Sequence, residues 1–117
     1  MNVDWTARGT TVPEPLAGRV ERQLQKLERY LHGHSEARVV VTQLGDDVGT
    51  ALRAIEVVVR NKVGTFTARD ESHDLSESAN TVMGRIEAQV HRARDKKIRG
   101  RRRAEEFVAV EESIGED

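Results

Sequence analysis

The chain has 117 residues, 37% of them hydrophobic and 33% charged, with a formal net charge of -1. That suffices for one core and leaves no room for a second large domain. Cysteine is absent, which excludes disulfides and thiolate metal sites. No stretch approaches the roughly 20 apolar residues of a membrane span, and the first residues lack the basic-then-apolar order of a signal peptide. A soluble cytoplasmic protein is therefore expected.

Val3, Trp5 and Ala7 alternate with Asp4, Thr6 and Arg8, the period of a strand with one face buried, and Gly9 ends the run. From Pro13 onward Leu16, Val20, Leu24, Leu27 and Leu31 recur at steps of three and four, which predicts an amphipathic helix closed by His32-Gly33. Pro13 and Pro15 suit only its first turn. Three β-prone runs follow, 37–44, 52–60 and 63–69, joined by short turn-like segments that include Asp46-Asp47. They predict an antiparallel meander. In the middle run Arg53 falls in phase with Ile55, Val57 and Val59, which an edge position or a frayed start would explain.

Asp74-Leu75-Ser76-Glu77 has the spacing of a capping box. Leu75, Ala79, Val82, Met83, Ile86, Val90 and Ala93 then continue as an apolar stripe. A second, longer helix is expected, fraying after Ile98, where the apolar rhythm stops. Gly18 and Gly84 fall inside the two helices at a cost of about 1 kcal/mol each relative to alanine. The order predicts an α+β domain, β-α-β-β-β-α, with a four-stranded sheet and two helices packed on one face. Such a core needs no cofactor.

The near-neutral total conceals segregated charge. Residues 85–103 hold nine basic and two acidic residues, a net +7, whereas 104–117 hold no basic and six acidic ones, a net -6. On the second helix Arg85, Gln89, Arg92, Lys96 and Arg99 recur at four and three residues, a polar ridge about 21 Å long. Arg22, Lys26 and Arg29 form a shorter ridge on the first helix, diluted by Glu21 and Glu28. Amphipathic helices ordinarily turn charge to solvent, and that explanation weighs most for the first helix. For the second, +7 over so short a length creates like-charge repulsion that a polyanion relieves. Two such ridges side by side would grip phosphates.

The spacings of the common duplex-DNA readers are missing. Trp5 and Phe66 fall on core positions, so a base-stacking platform is also missing. Recognition of folded RNA by backbone and shape remains. Tyr30 reads as core rather than contact. His32 and His34 stand two apart, unlike a helical zinc pair, and Asp74 beside His73 reads as a cap rather than as half of an acid-base pair. No phosphate loop or nucleophile motif is present, so an enzyme is not expected.

Ala7-Arg8-Gly9, Leu24-Gln25-Lys26-Leu27-Glu28-Arg29-Tyr30, His73-Asp74-Leu75 and Arg85-Ile86-Glu87-Ala88-Gln89-Val90, in this order and spacing, resemble the ribosome hibernation promoting factor family. That family includes the ribosome-associated inhibitor and has also been described as sigma factor modulation protein. The resemblance covers about residues 2 to 97. It implies a non-catalytic factor that binds the small ribosomal subunit where messenger RNA and the A- and P-site tRNAs would lie, silencing idle ribosomes by occupancy. It also implies contacts to 16S ribosomal RNA from Lys26, Arg29, Arg85, Gln89, Arg92 and Lys96.

Pro13 replaces a frequent capping threonine, Ser76 an aromatic residue and Ala88 a signature arginine. Arg94 and Arg101-Arg102-Arg103 are placed to compensate for that last change. The acidic, Phe107-bearing tail resembles that of the ribosome-associated inhibitor. The expected division is a ribosome-binding domain over 1–99 and a flexible basic-then-acidic tail over 100–117, in a chain monomeric off the ribosome. The competing readings are an adaptor that acts on a transcription factor through the acidic tail, and a general binder of structured RNA.

Overall fold

The computed structural model describes residues 1–31, 33–45 and 52–110, and over 96–110 only the course of the helix. Strand β1 (Asn2–Arg8) leads to helix α1 (Glu14–Leu27), which tightens into one 3-10 turn, η1 (Glu28–Tyr30). Strands β2 (Ser35–Gln43), β3 (Arg53–Asn61) and β4 (Gly64–Ser72) follow, and helix α2 runs from Leu75 to Val110. The strands lie in chain order. β2, β3 and β4 form the antiparallel meander, and β1 adds in parallel beside β2 with Val3 opposite Ala37 and Trp5 opposite Val39. Parallel pairing of β1 with β2 requires a crossover, and α1 supplies it.

The α+β architecture expected from the sequence is the one observed. Leu16, Val20, Leu24 and Leu27 of α1 and Leu75, Ala79, Val82, Met83, Ile86 and Val90 of α2 are buried in one cluster. Their partners are Val39, Val41, Ile55, Val57, Val59 and Phe66 on the covered face of the sheet. The opposite face is polar, and register neighbours there carry opposite charges: Asp4 beside Arg38, Glu36 beside Arg60, Glu56 beside Arg69. Such cross-strand neighbours stabilise a solvated sheet face.

Three details depart from the pattern read in the sequence. The first helix ends at Leu27 rather than running to Leu31, because the chain goes through η1 and is already extended at Leu31. Leu31 nevertheless stays buried, and Gly33 adopts a φ of 84°. The second helix does not stop after Ile98 but continues to Val110. Arginine, alanine and glutamate are strong helix formers, so the backbone propagates there without an apolar stripe. Finally, Arg53 is neither on an edge strand nor frayed, since it registers with both Gln43 and Ser72.

The cap of α2 is half of the box its spacing suggests. Asp74 Oδ1 accepts from the amides of Ser76 (3.0 Å) and Glu77 (3.3 Å), but the amide of Asp74 donates to Ser72 Oγ (2.9 Å). His32, Asp46-Asp47 and the tail beyond Val110 lie outside the described residues.

Candidate nucleic-acid interface

The two helices lie on one face of the sheet, so their outward sides form one surface of the molecule. On α1, Arg22 and Lys26 are exposed, and Arg29 is exposed on η1. On α2, Arg85 and Arg92 are exposed and Gln89 is half-buried. Lys96 and Arg99 continue the helix one and two turns further, with side chains outside the described residues, as are those of Arg101, Arg102 and Arg103. Among the described residues Arg22, Lys26, Arg29 and Arg92 form no ion pair. Arg38 and Arg60 of the opposite sheet face form no ion pair among the described residues either, but each has an acid as its register neighbour, whereas Arg22, Lys26 and Arg29 recur together on one ridge. Repulsion among them is relieved by bringing a polyanion to this side.

The ridge on α2 is not uniform along its length. Gln89 is fastened to the outer edge of β4: its amide nitrogen donates to the Thr67 carbonyl at 2.8 Å, and its Oε1 accepts from the Thr67 amide at 3.1 Å. One turn earlier, Arg85 Nη1 donates to the Arg69 carbonyl at 2.9 Å, and Nη2 stands 3.9 Å from Asp70. An edge strand presents unpaired backbone groups, and these two side chains cover three of them on β4. Arg85 remains 55% exposed, so its guanidinium both closes the edge and faces solvent.

The same bonds fix where the ridge lies. Arg85 and Gln89 reach β4, on the flank of α2 away from α1, whereas the flank toward α1 is marked by Ser76, His91 and Arg94. Arg19 of α1 donates to the Ser76 carbonyl and hydroxyl. Tyr30 of η1 meets the His91 ring at 4.7 Å between centroids, with the Arg94 guanidinium 5.1 Å above it. The two ridges are therefore separated by the outward face of α2 instead of lying side by side. Tyr30 packs against the core as expected, yet it also carries two cationic or ionisable neighbours that the spacing argument left out. The missed signal was Arg94 itself, which falls off the Arg85–Arg92 ridge by helical phase and onto the side of α1.

The other candidates are structural. Trp5 Nε1 donates to Glu21 at 2.7 Å, and the Met1 amino group pairs with Glu28 at 2.8 Å, so one of the acids that dilute the first ridge ties β1 to α1 and the other ties Met1 to η1. Phe66 is buried in the core. His34 stands 3.6 Å from Glu36 in an exposed pair. Among the described residues no group of three or more His, Cys, Asp or Glu is placed to hold a metal ion, and no helix is long and apolar enough to cross a membrane.

Comparison with known proteins bears on the family and the fold. The family model described as sigma 54 modulation protein / S30EA ribosomal protein matches residues 3–98. The N-terminal domain of Protein Y from Thermus thermophilus superposes with a TM-score of 0.66 at 27% identity, over 79% of this chain and 98% of that one. A ribosomal subunit interface protein from Coxiella burnetii superposes with a TM-score of 0.59 at 18% identity, over 79% and 96% of the two chains, a likeness of fold. Among curated protein sequences no relative matches.

Proposed function

This chain belongs to the sigma 54 modulation protein / S30EA ribosomal protein family, and from that premise we propose that it is a ribosome hibernation factor. It binds the small ribosomal subunit in the channel of messenger RNA and the A- and P-site tRNAs, through 16S ribosomal RNA. Bound there, it keeps idle cytoplasmic ribosomes inactive by occupancy, without catalysis. The observation that carries this reading is the set of exposed cations on the helix face, Arg22, Lys26, Arg29 and Arg92, none of which forms an ion pair among the described residues. Arg22, Lys26, Arg29 and Arg92 contact phosphates directly, and Lys96 and Arg99 extend the contact along the helix. Arg85 contributes charge from its post at the β4 edge, and Gln89 acts mainly by holding that edge in place. Residues 1–99 form the binding domain, with 100–117 as an appendage of basic then acidic charge.

Occupancy makes a direct demand. Adding the chain to vacant small subunits carrying P-site tRNA must release the tRNA in proportion to chain bound, with no covalent change to either RNA. Simultaneous binding of chain and tRNA to one subunit would refute the site. The family's sigma 54 description supports one other reading, an adaptor for a transcription factor working through the acidic tail. Removal of residues 104–117 separates them, because adaptor binding would be lost while ribosome binding persists. Equal affinity for ribosomes and arbitrary RNA duplexes would indicate a general RNA binder instead.

A further inference from the structure

Arg53 sits half-buried on the helix-covered face of an inner strand, in phase with the buried Ile55, Val57 and Val59. Its one hydrogen bond among the described residues is a long one, Nη1 to Thr10 Oγ1 at 3.4 Å. Its Nε is shut off from solvent with no acceptor among the described residues. Arg19 of α1 repeats the anomaly: Nη2 donates to the Ser76 hydroxyl at 2.9 Å and carbonyl at 3.2 Å, while its Nε is enclosed without an acceptor among the described residues. Both arginines line one open cleft of about 630 Å³ between the first turns of α1 and α2, walled also by Pro15, His73, Asp74 and Ser76. Neither guanidinium forms an ion pair among the described residues. Asp74, the acid in the wall, is engaged with the amides of Ser76 and Glu77.

We propose that this cleft binds a phosphate group. Two guanidiniums partly withdrawn from water without a countercharge are costly, and an anion between them supplies that charge. Arginine's planar fork suits phosphate oxygens, which accept two parallel hydrogen bonds. The cleft has room for the phosphate and for part of whatever carries it. Two carriers share this chemistry, a nucleic-acid backbone and a small phosphorylated molecule. The site is distinct from the Arg22, Lys26, Arg29 and Arg92 surface, and it stands or falls independently of ribosome binding.

The test is an amide NMR titration of the full chain with inorganic phosphate, with ionic strength held constant by sodium chloride. The wild type should show saturable shifts at Arg53, Leu75 and Ser76 that are absent in Arg53→Gln and retained in Arg22→Gln. Arg19→Gln also removes the tie to Ser76, so Arg53→Gln, checked for an unchanged melting curve, is the deciding variant. Should Arg53→Gln melt early, Arg53→Lys takes its place and should weaken phosphate binding severalfold, because the fork is lost and the charge kept. Lack of saturable shifts in the wild type, or equal phosphate affinity in a folded Arg53 variant, overturns the proposal. Sedimentation with small subunits then identifies the carrier: affinity lowered tenfold or more in Arg53→Gln assigns the site to an RNA backbone, and unchanged affinity alongside lost phosphate shifts assigns it to a small phosphorylated molecule.

Discussion

Gly84 lies on the exposed side of α2, where a Cβ would meet nothing within 4 Å. Neither packing nor backbone conformation requires glycine there, so Gly84→Ala should raise stability by about 0.5–1 kcal/mol in urea denaturation. Gly18 differs slightly, since its Cβ would come within 3.3 Å of Arg22 Nη1, the movable end of a long side chain. Gly9 is the opposite case, with φ at 72° and a Cβ position 3.3 Å from that of Gln43. Alanine there should cost stability, by about 1 kcal/mol or more. Sequence alone treats Gly18 and Gly84 as equivalent weaknesses in a helix. Only the packing around them tells a vacant position from a crowded one.

At the scale of the elements, α2 does two jobs with neighbouring residues of one ridge. Gln89→Glu keeps the acceptor for the Thr67 amide but sets a carboxylate against the Thr67 carbonyl in place of a donor. It should destabilise the fold by about 1–3 kcal/mol in chemical denaturation. Arg92→Glu, one turn further on and without a partner among the described residues, should change stability by no more than about 0.5 kcal/mol while weakening ribosome binding. Equal stability losses in the two variants would show that the β4 edge does not depend on Gln89. In the core, Ile86→Ala should cost about 2–5 kcal/mol, since Ile86 is fully enclosed.

Much of this element-level order was legible because each helix carries a continuous three-four stripe and each strand a run of valine or alternating residues. The parallel docking of β1 was not, because Val3, Trp5 and Ala7 specify a buried face but no neighbour. The end of α2 was misjudged, because loss of apolar rhythm marks the end of packing and not the end of a helix. Spacing placed Arg85, Gln89 and Arg92 on one ridge. It gave no sign that two of them reach the free edge of β4, since strand order is a long-range property.

Taken whole, the molecule has a polar sheet face with opposite charges in register and a helix face with cations left over, which the net charge of -1 conceals. Binding through about six phosphates predicts a fall in affinity of roughly a thousandfold between 50 and 200 mM salt. An affinity independent of salt would mean that protein contacts, not RNA phosphates, dominate. The acidic residues that follow the basic segment oppose the same interaction, so removing 104–117 should raise nonspecific RNA affinity.

The central claim, that the unpaired cations of the helix face hold the small subunit, is tested most directly by sedimenting the chain with isolated subunits at low and moderate salt. The wild type should travel with the small subunit alone, more weakly at moderate salt. A folded variant with Arg22, Lys26 and Arg92 all changed to Glu should remain in the supernatant. Co-sedimentation of that variant at wild-type affinity, or a wild type that stays in the supernatant at both salts, would contradict the account.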